Sequence, residues 1–182
     1  MSRLAVGSLE GLASGGYKIT VAAGSQFVQA GSILQVVSTN KTDTFTTTST
    51  TFTDITGLAA TITPTSSSSK ILVLAMVNGS NDPAISLCYL RLVRGSTAIG
   101  VGDAGSGQRQ STASLSTSDT DTNMVGTSNI MFLDSPATTT ATTYKIQIVV
   151  TAGTGFVNRS DNDSASIGGR FISSLTLMEV AA

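Results

Sequence analysis

The sequence predicts an all-β protein: an antiparallel β-sandwich, jelly-roll-like in topology, with an extended N-terminal arm. Three observations support this prediction. About ten short runs of β-branched and apolar residues are separated by turn residues at intervals of roughly 8–12 residues, which is typical of sandwiches and barrels. No window shows an apolar stripe at helical spacing. Ser and Thr make up roughly 30% of the chain, and Thr favours pleated surfaces over helices.

Residues 1–31 are predicted to form the arm, and residues 32–182 the sandwich domain. Glycines punctuate the arm, and between them Tyr17, Ile19 and Val21 alternate with polar residues as in a short strand. A second apolar fragment contains Phe27. Because an extended segment can add a strand to the open edge of another sheet, we expect the arm to contact a neighbouring molecule.

The rest of the chain divides into short strands and polar loops. We predict strands at residues 33–39, 43–48, 51–53, 59–63, 71–77, 85–93, 97–101, 129–133, 143–150, 155–157 and 171–180, and a weak strand at 108–111. A tight turn at Arg94, Gly95 and Ser96 indicates a hairpin. The long loops at residues 102–123 and 158–169 are expected to face outward, since long polar loops in compact domains are usually functional or mobile.

Several side chains are predicted to point into the core. Phe45 and Phe52 are expected to anchor the Thr-rich strands. The other predicted core residues are Ile146, Ile148, Val150, Leu175, Leu177 and Met178.

The most informative segment is the uninterrupted apolar run at residues 71–77, which is closed by turn residues at both ends. Its length and its ends predict a strand, but it lacks the alternation of a strand with one solvated face. We therefore expect both of its faces to be covered, one by the core and the other by a second molecule. The turn that ends it is placed at residues 78–81.

Composition excludes several kinds of chemistry. The chain has no His and a single Cys, Cys88, so it lacks the side chains of Ser-His-Asp and Cys-His nucleophiles and of most zinc sites. Cys88 lies in an apolar segment and is expected to be a buried hydrophobe. With ten basic and eleven acidic residues scattered along the chain, neither nucleic acid nor a membrane surface is an expected partner. No catalytic, cofactor-binding or metal-binding residue is assigned.

Three motif matches have weak structural contexts. Residues 100–105 match the dinucleotide-binding glycine pattern, but no helix is predicted after them. Residues 67–70 match S-x-x-K in a loop instead of the helix that the β-lactamase-type site needs. Asp119, Asp121 and Asn123 have the spacing that begins a calcium loop, yet the sixth and twelfth positions do not fit. A looser calcium site there, or at residues 161–163, stays open beside the simpler interpretation of a solvated loop.

Several segments resemble a module found in bacteriophage tail fibres and other virion surface proteins. The segments are residues 31–37, 42–57, 59–74, 90–95 (LRLVRG), 132–140 (FLDSPATTT) and 174–182 (SLTLMEVAA). The resemblance covers about residues 31–182 and implies a β-sandwich that is commonly trimeric. No functional residue carries over from it.

The chain has no fibre shaft, because it shows neither heptads nor a collagen-like or β-helical repeat. Together with the resemblance, this predicts a non-enzymatic virion structural protein on the particle surface, either a capsid decoration (cement) protein or the knob of a short fibre. Its expected partners are sister subunits in a homotrimer and a major capsid or tail protein contacted through the arm. The alternative is a tail-fibre receptor-binding module whose loops recognise a host surface glycan or protein.

Overall fold

The computed structural model describes residues 28–82, 86–115 and 124–182 and confirms the all-β, antiparallel sandwich. The strands are β1 (Ile33–Lys41), β2 (Phe45–Thr47), β3 (Thr53–Ile62), β4 (Lys70–Asp82), β5 (Cys88–Arg94), β6 (Thr97–Ile99), β7 (Ala113–Ser114), β8 (Gly126–Asp134), β9 (Thr142–Val150), β10 (Thr154–Val157) and β11 (Ser173–Val180). They form a six-stranded sheet in the order β1-β11-β4-β10-β2, in which β8 also pairs with β4. The five-stranded sheet has the order β3-β9-β5-β6, and its fifth strand, β7, pairs with β5.

The strand pairing is that of a jelly roll. When β2, β7 and β10 are set aside, eight strands remain, and the first pairs with the eighth, the second with the seventh, the third with the sixth and the fourth with the fifth. This nested pairing folds one long antiparallel ribbon over on itself, and its two halves become the two sheets. The predicted topology is therefore confirmed.

The core fills the space between the two sheets. Ile71, Val73 and Val77 of β4 are fully buried on the inner face of the six-stranded sheet. In the five-stranded sheet, β9 contributes Ile146, Ile148 and Val150, all fully buried as predicted. Leu175 and Leu177 of β11 are buried as well, as predicted. The alternation of buried and half-buried positions along β4 and β11 shows that each strand has one face in the core and one outside.

The turn predicted at residues 78–81 is wrong, because β4 continues through these residues to Asp82. Gly79 makes this continuation possible: a Cβ atom there would lie 2.2 Å from the Phe156 carbonyl oxygen and 2.6 Å from Leu115 Cδ2. The polar residues around it are buried and hydrogen-bonded. The Asn78 amide group donates to the Ile172 carbonyl oxygen at 2.6 Å, and the Ser80 hydroxyl donates to that of Arg159 at 3.1 Å.

The predicted strands 51–53 and 59–63 are replaced by one continuous strand, β3, which runs from Thr53 to Ile62. Its register with β9 shifts between Asp54 and Ala59, and Gly57 lies inside the irregularity with φ of 81°. A glycine adopts this left-handed conformation without a Cβ penalty, so the strand passes through a bulge where the sequence indicated a gap.

Other strand predictions are partly wrong. No strand forms at residues 108–111; β7 lies further along, at Ala113–Ser114. The strand predicted at 171–180 begins at Ser173, and the described part of the one predicted at 85–93 begins at Cys88. The predicted hairpin between β5 and β6 is confirmed, with Arg94 paired to Thr97 and Gly95 at φ 59°.

Two inward-pointing predictions are also wrong. Phe45 packs against the core as expected, but Phe52 does not. The Phe52 ring lies on the outside of the five-stranded sheet, and Arg91 Cζ is 3.9 Å from the centroid of that ring. Met178 points outward and is half-buried, because its neighbours Leu177 and Glu179 occupy the inward positions of β11. The apolar character of these residues does not reveal which face of a strand they occupy.

The predicted arm, residues 1–31, lies almost wholly outside the described residues, and its boundary stays a prediction. The described chain enters β1 beside the end of β11. The Gly31 amide donates to the Ala181 carbonyl oxygen at 2.8 Å, and the Ala181 amide donates to that of Ser32 at 2.9 Å. The described chain therefore begins at the β1 side of the six-stranded sheet.

A buried polar contact joins the two sheets at the end of β8. The Tyr144 hydroxyl of β9 donates to Asp134 Oδ2 at 2.6 Å, and Arg94 Nη1 donates to the same carboxylate at 2.8 Å. Burial and the hydrogen bond to Asp134 raise the pKa of Tyr144. The phenol is therefore held in its neutral, donating form.

We expect Tyr144→Phe to lower the free energy of unfolding by about 2 kcal/mol, because the buried carboxylate of Asp134 loses one of its two donors. Urea denaturation followed by circular dichroism measures this. An unchanged midpoint would show that Arg94 alone satisfies the carboxylate.

Candidate functional site

The outer surface of the six-stranded sheet carries a cluster of apolar side chains. Seven side chains make up this outer apolar face: Val36, Leu72, Leu74, Met76, Met131, Leu133 and Met178. Met131 is 78% exposed, Val36 55% and Leu133 48%. The other four are half-buried. Contiguous exposed apolar surface of this kind usually marks an interaction site.

Strand register places these side chains in adjacent rows. One row crosses the sheet from Val36 through Met178 and Leu72 to Leu133. The next row crosses from Ser38 through Thr176 and Leu74 to Met131. The third joins Asn40, Ser174, Met76 and Asn129. No charged side chain occupies these three rows.

A shallow cavity of about 410 Å³ lies on this face. Leu74, Met76, Met131 and Thr176 are among the residues that line it. The cavity follows the second and third rows, where side chains of different length stand next to one another. The cavity is a depression in the outer apolar face with room for a side chain of another molecule.

The outer surface of the five-stranded sheet is polar and internally bonded. Asp54 accepts hydrogen bonds from Lys145 Nζ and from Gln147 Nε2, both at 2.7 Å. Gln147 Oε1 in turn accepts from Arg91 Nη2 at 2.7 Å, and the Arg91 guanidinium covers Phe52. Hydrogen bonds from Lys145 and then Gln147 lower the pKa of Asp54. The two outer surfaces therefore differ: that of the five-stranded sheet is polar and hydrogen-bonded, and that of the six-stranded sheet carries the outer apolar face.

Among the described strands, β8 lies at an edge of the six-stranded sheet. Within the described residues, its strand partner is β4, with an unshifted register from Ile71–Asp134 to Gly79–Gly126. From Gly126 to Leu133 it contains no charged residue and no proline. Monomeric proteins usually protect such edges with charges, prolines or bulges, and β8 has none of these from Gly126 to Leu133.

The structure tests one half of the expectation that both faces of residues 71–77 are covered. The inner face of this run is buried in the core, as predicted. Its outward side chains Leu72, Leu74 and Met76 are half-buried by neighbours in their own sheet. That a second molecule covers them stays a prediction. The sequence analysis missed the contribution of β8, although Ile130, Met131, Phe132 and Leu133 form a second apolar run without alternation.

The motif matches lead to no reaction centre. No helix follows Gly100, which has φ of 59° and packs against the Phe132 ring. The S-x-x-K match lies in the loop before β4. That loop is held by Glu179 instead: Glu179 Oε1 accepts from the Thr65 amide and hydroxyl, both at 2.7 Å. Thr65 therefore has a structural role in this loop.

The acidic residues at 161–163 are engaged with arginines. Asp163 forms ion pairs with Arg159, at 2.9 Å, and with Arg170. Hydrogen bonding to Arg170, the largest influence, helps lower the pKa of Asp163. Over residues 28–82, 86–115 and 124–182, no group of three or more Cys, Asp and Glu side chains is arranged to hold a metal ion. Asp119, Asp121 and Asn123 lie outside the described residues, so the calcium alternative there is untested.

The loop at 158–169 is anchored at its base. Asn158, fully buried with φ of 64°, donates through Nδ2 to the carbonyl oxygens of Lys41, at 2.8 Å, and Asp43, at 2.9 Å. The Ser173 hydroxyl donates to Asn158 Oδ1 at 2.6 Å. The loop therefore starts from a fixed point in the six-stranded sheet.

Cys88 is fully buried as expected, and desolvation raises its pKa to about 11. Since the thiolate is the reactive form, we expect the folded protein to resist thiol reagents such as iodoacetamide at neutral pH. Labelling should follow the unfolding curve in urea. Fast labelling of the native protein would show that the region around Cys88 opens locally.

Comparison with known proteins gives no family. No family model matches the chain, and no curated protein matches it significantly. No described helix is long and apolar enough to cross a membrane. The argument for function therefore starts from the surfaces of the molecule.

Proposed function

We propose that this chain is a non-enzymatic structural protein on the surface of a bacteriophage virion. In this proposal it is a homotrimer and serves as a capsid decoration (cement) protein or as the knob of a short fibre. The observation that carries the proposal is the contrast between the outer apolar face of one sheet and the polar, bonded outer surface of the other. A contiguous apolar surface of the first kind usually marks a contact with another molecule.

Two further features support an assembly role. Two buried polar side chains, Glu179 and Asn158, are satisfied by hydrogen bonds that hold the fold together. The resemblance of residues 31–182 to virion surface modules supports the particle context. In this proposal the N-terminal arm, residues 1–31, would contact a major capsid or tail protein.

Immunogold labelling of purified virions tests the proposal. Antibodies raised against the folded domain should decorate intact particles from cells that carry this gene, and the label should be regular on heads or on short fibres. Antibodies against an internal virion protein, applied to the same intact particles, serve as the control. Absence of the chain from purified particles, by labelling and by mass spectrometry, would reject the proposal.

One observation favours the alternative, a receptor-binding module. A cavity of about 310 Å³ opens beside the first long loop and is lined by Tyr89, Gly107, Gln108 and Arg109. An aromatic ring next to amide and guanidinium donors suits a sugar, and an acidic sugar in particular. If this function holds, particles with the double substitution Tyr89→Ala and Arg109→Ala should stay intact but lose adsorption to host cells. Normal adsorption would leave the structural role as the better explanation.

A further inference from the structure

We propose that a second copy of this chain covers the outer apolar face, in a contact centred on the open edge of β8. This inference rests on the proposed function and names the surface through which its subunits meet. The three most exposed side chains of the face are Met131 and Leu133 on β8 and Val36 on β1. Two of the three therefore lie on β8.

The lack of charged side chains in the three rows favours a second copy of this chain as the partner. The three rows that cross the sheet contain apolar, hydroxyl and amide side chains and no charge. A different protein is commonly recognised through complementary charges, and these rows offer none. An uncharged apolar surface, by contrast, is compatible with copies of itself, because no like charges meet where the same face of three identical subunits packs around a three-fold axis.

The backbone of β8 supports the same partner. Its nine residues, Gly126–Asp134, pair on one side with β4 without a bulge, and no proline interrupts them. An unprotected edge of this length can pair with a strand of another subunit while Met131 and Leu133 are buried beside it. Backbone pairing then fixes the register of the contact, and burial of the two side chains stabilises it.

A charge-insertion experiment tests the inference. The double variant Met131→Lys and Leu133→Lys places two like charges on β8 at outward, exposed positions, where the core of the subunit does not change. The matched control is Thr61→Lys, an exposed outward position on β3 in the other sheet. Masses are measured by light scattering over a dilution series, and circular dichroism confirms that each variant is folded.

The wild-type chain and Thr61→Lys should have about three times the 18.5 kDa subunit mass. The double variant should be a monomer, with the apparent dissociation constant raised by about 100-fold or more. A double variant that keeps the wild-type mass would overturn the inference. So would a wild-type chain that is monomeric at high micromolar concentration.

A second measurement covers the case in which the double variant fails to fold. Met131→Cys keeps the face uncharged, and the native Cys88 is buried with a pKa of about 11, so the new thiol is the reactive one. A short bis-maleimide should join subunits through Met131→Cys and not through the control Thr61→Cys. Equal cross-linking of both variants, or none of either, would contradict the inference.

The outcomes separate this inference from the function on which it rests. If virions carry the protein but the purified chain assembles through another surface, the inference fails and the virion role stands. If subunits meet at β8 but particles lack the protein, the contact stands and the virion role fails.

Discussion

Replacing Gly79 by alanine should lower the free energy of unfolding by about 3 kcal/mol or more, the largest effect that we expect from a single methyl group. The added Cβ atom would stand 2.2 Å from the carbonyl oxygen of Phe156 and 2.6 Å from Leu115 Cδ2. One of these contacts is backbone in β10, so relief requires strand movement and not merely a rotamer change. Overpacking of this kind costs 1–3 kcal/mol in ordinary cores, and more where the backbone is fixed.

The matched control is Gly102→Ala. No atom lies within 4 Å of the Cβ position at Gly102, and its φ is not in the left-handed region. We expect this variant to stay within about 0.5 kcal/mol of the wild type. Urea denaturation of both variants, followed by circular dichroism, provides the comparison. Equal stability of Gly79→Ala and Gly102→Ala would mean that β4 and β10 can separate without cost.

The Gly79 site shows why one boundary could not be predicted. Asn78, Gly79, Ser80 and Asn81 have the composition of a turn, and local propensity predicts one. In the fold, β10 approaches β4 at Gly79, and Ser80 is buried where it can donate to the Arg159 carbonyl oxygen. The partners of Gly79 and Ser80 lie far along the chain: Ser80 and Arg159, for example, are 79 residues apart. Tertiary pairing therefore overrode the local signal.

The features that could be predicted depend on local chemistry. Short apolar runs between turn residues gave the all-β class, and Gly95 located the β5–β6 hairpin, where its φ of 59° is needed. The nested jelly-roll order depends on which distant strands pair, and local chemistry does not determine this. The jelly roll was therefore only the preferred topology until the strand pairing confirmed it.

The candidate surface could be predicted only in part. The lack of alternation in residues 71–77 indicated that one strand has apolar side chains on both faces, as β4 does. Whether those outward side chains form a patch depends on their neighbours across the sheet. Met178 and Leu133 lie beside Leu72 only because β11 and β8 flank β4 in a particular register. A single sequence does not contain that register, so the patch emerged from the structure.

The acid sensitivity of the fold should depend largely on Glu179, which is fully buried in β11. Burial alone would raise the pKa of its carboxyl group. Hydrogen bonds from Gln35, Thr65 and Ser69 outweigh burial and lower the pKa from 4.5 to about 2. The donor on Gln35 lies 2.6 Å from Oε2, and the two donors on Thr65 lie 2.7 Å from Oε1. The charged form is therefore favoured in the folded state.

A carboxyl group whose pKa is lower in the folded than in the unfolded state stabilises the fold above its unfolded pKa. The contribution of Glu179 is thus present at neutral pH and is lost as the pH falls from about 5 towards 2. A shift from 4.5 to about 2 corresponds to about 3 kcal/mol. We expect the urea midpoint of the wild-type chain to fall steeply across this range.

The variant Glu179→Gln isolates this contribution. Its amide nitrogen would face the donors of Gln35 or Thr65, so at pH 7 the variant should be less stable than the wild type by about 2–3 kcal/mol. At pH 2 the difference should shrink to well under about 1 kcal/mol, since the wild-type carboxyl group is then about half protonated in the folded state and protonated in the unfolded state. The control is Asp54→Asn. Its side chain is 51% exposed beside Lys145, so the substitution should alter the pH profile only slightly. If Glu179→Gln keeps the wild-type slope between pH 5 and pH 2, the acid-sensitive group lies elsewhere, and the hydrogen bonds between β11 and the loop before β4 do not favour the charged form.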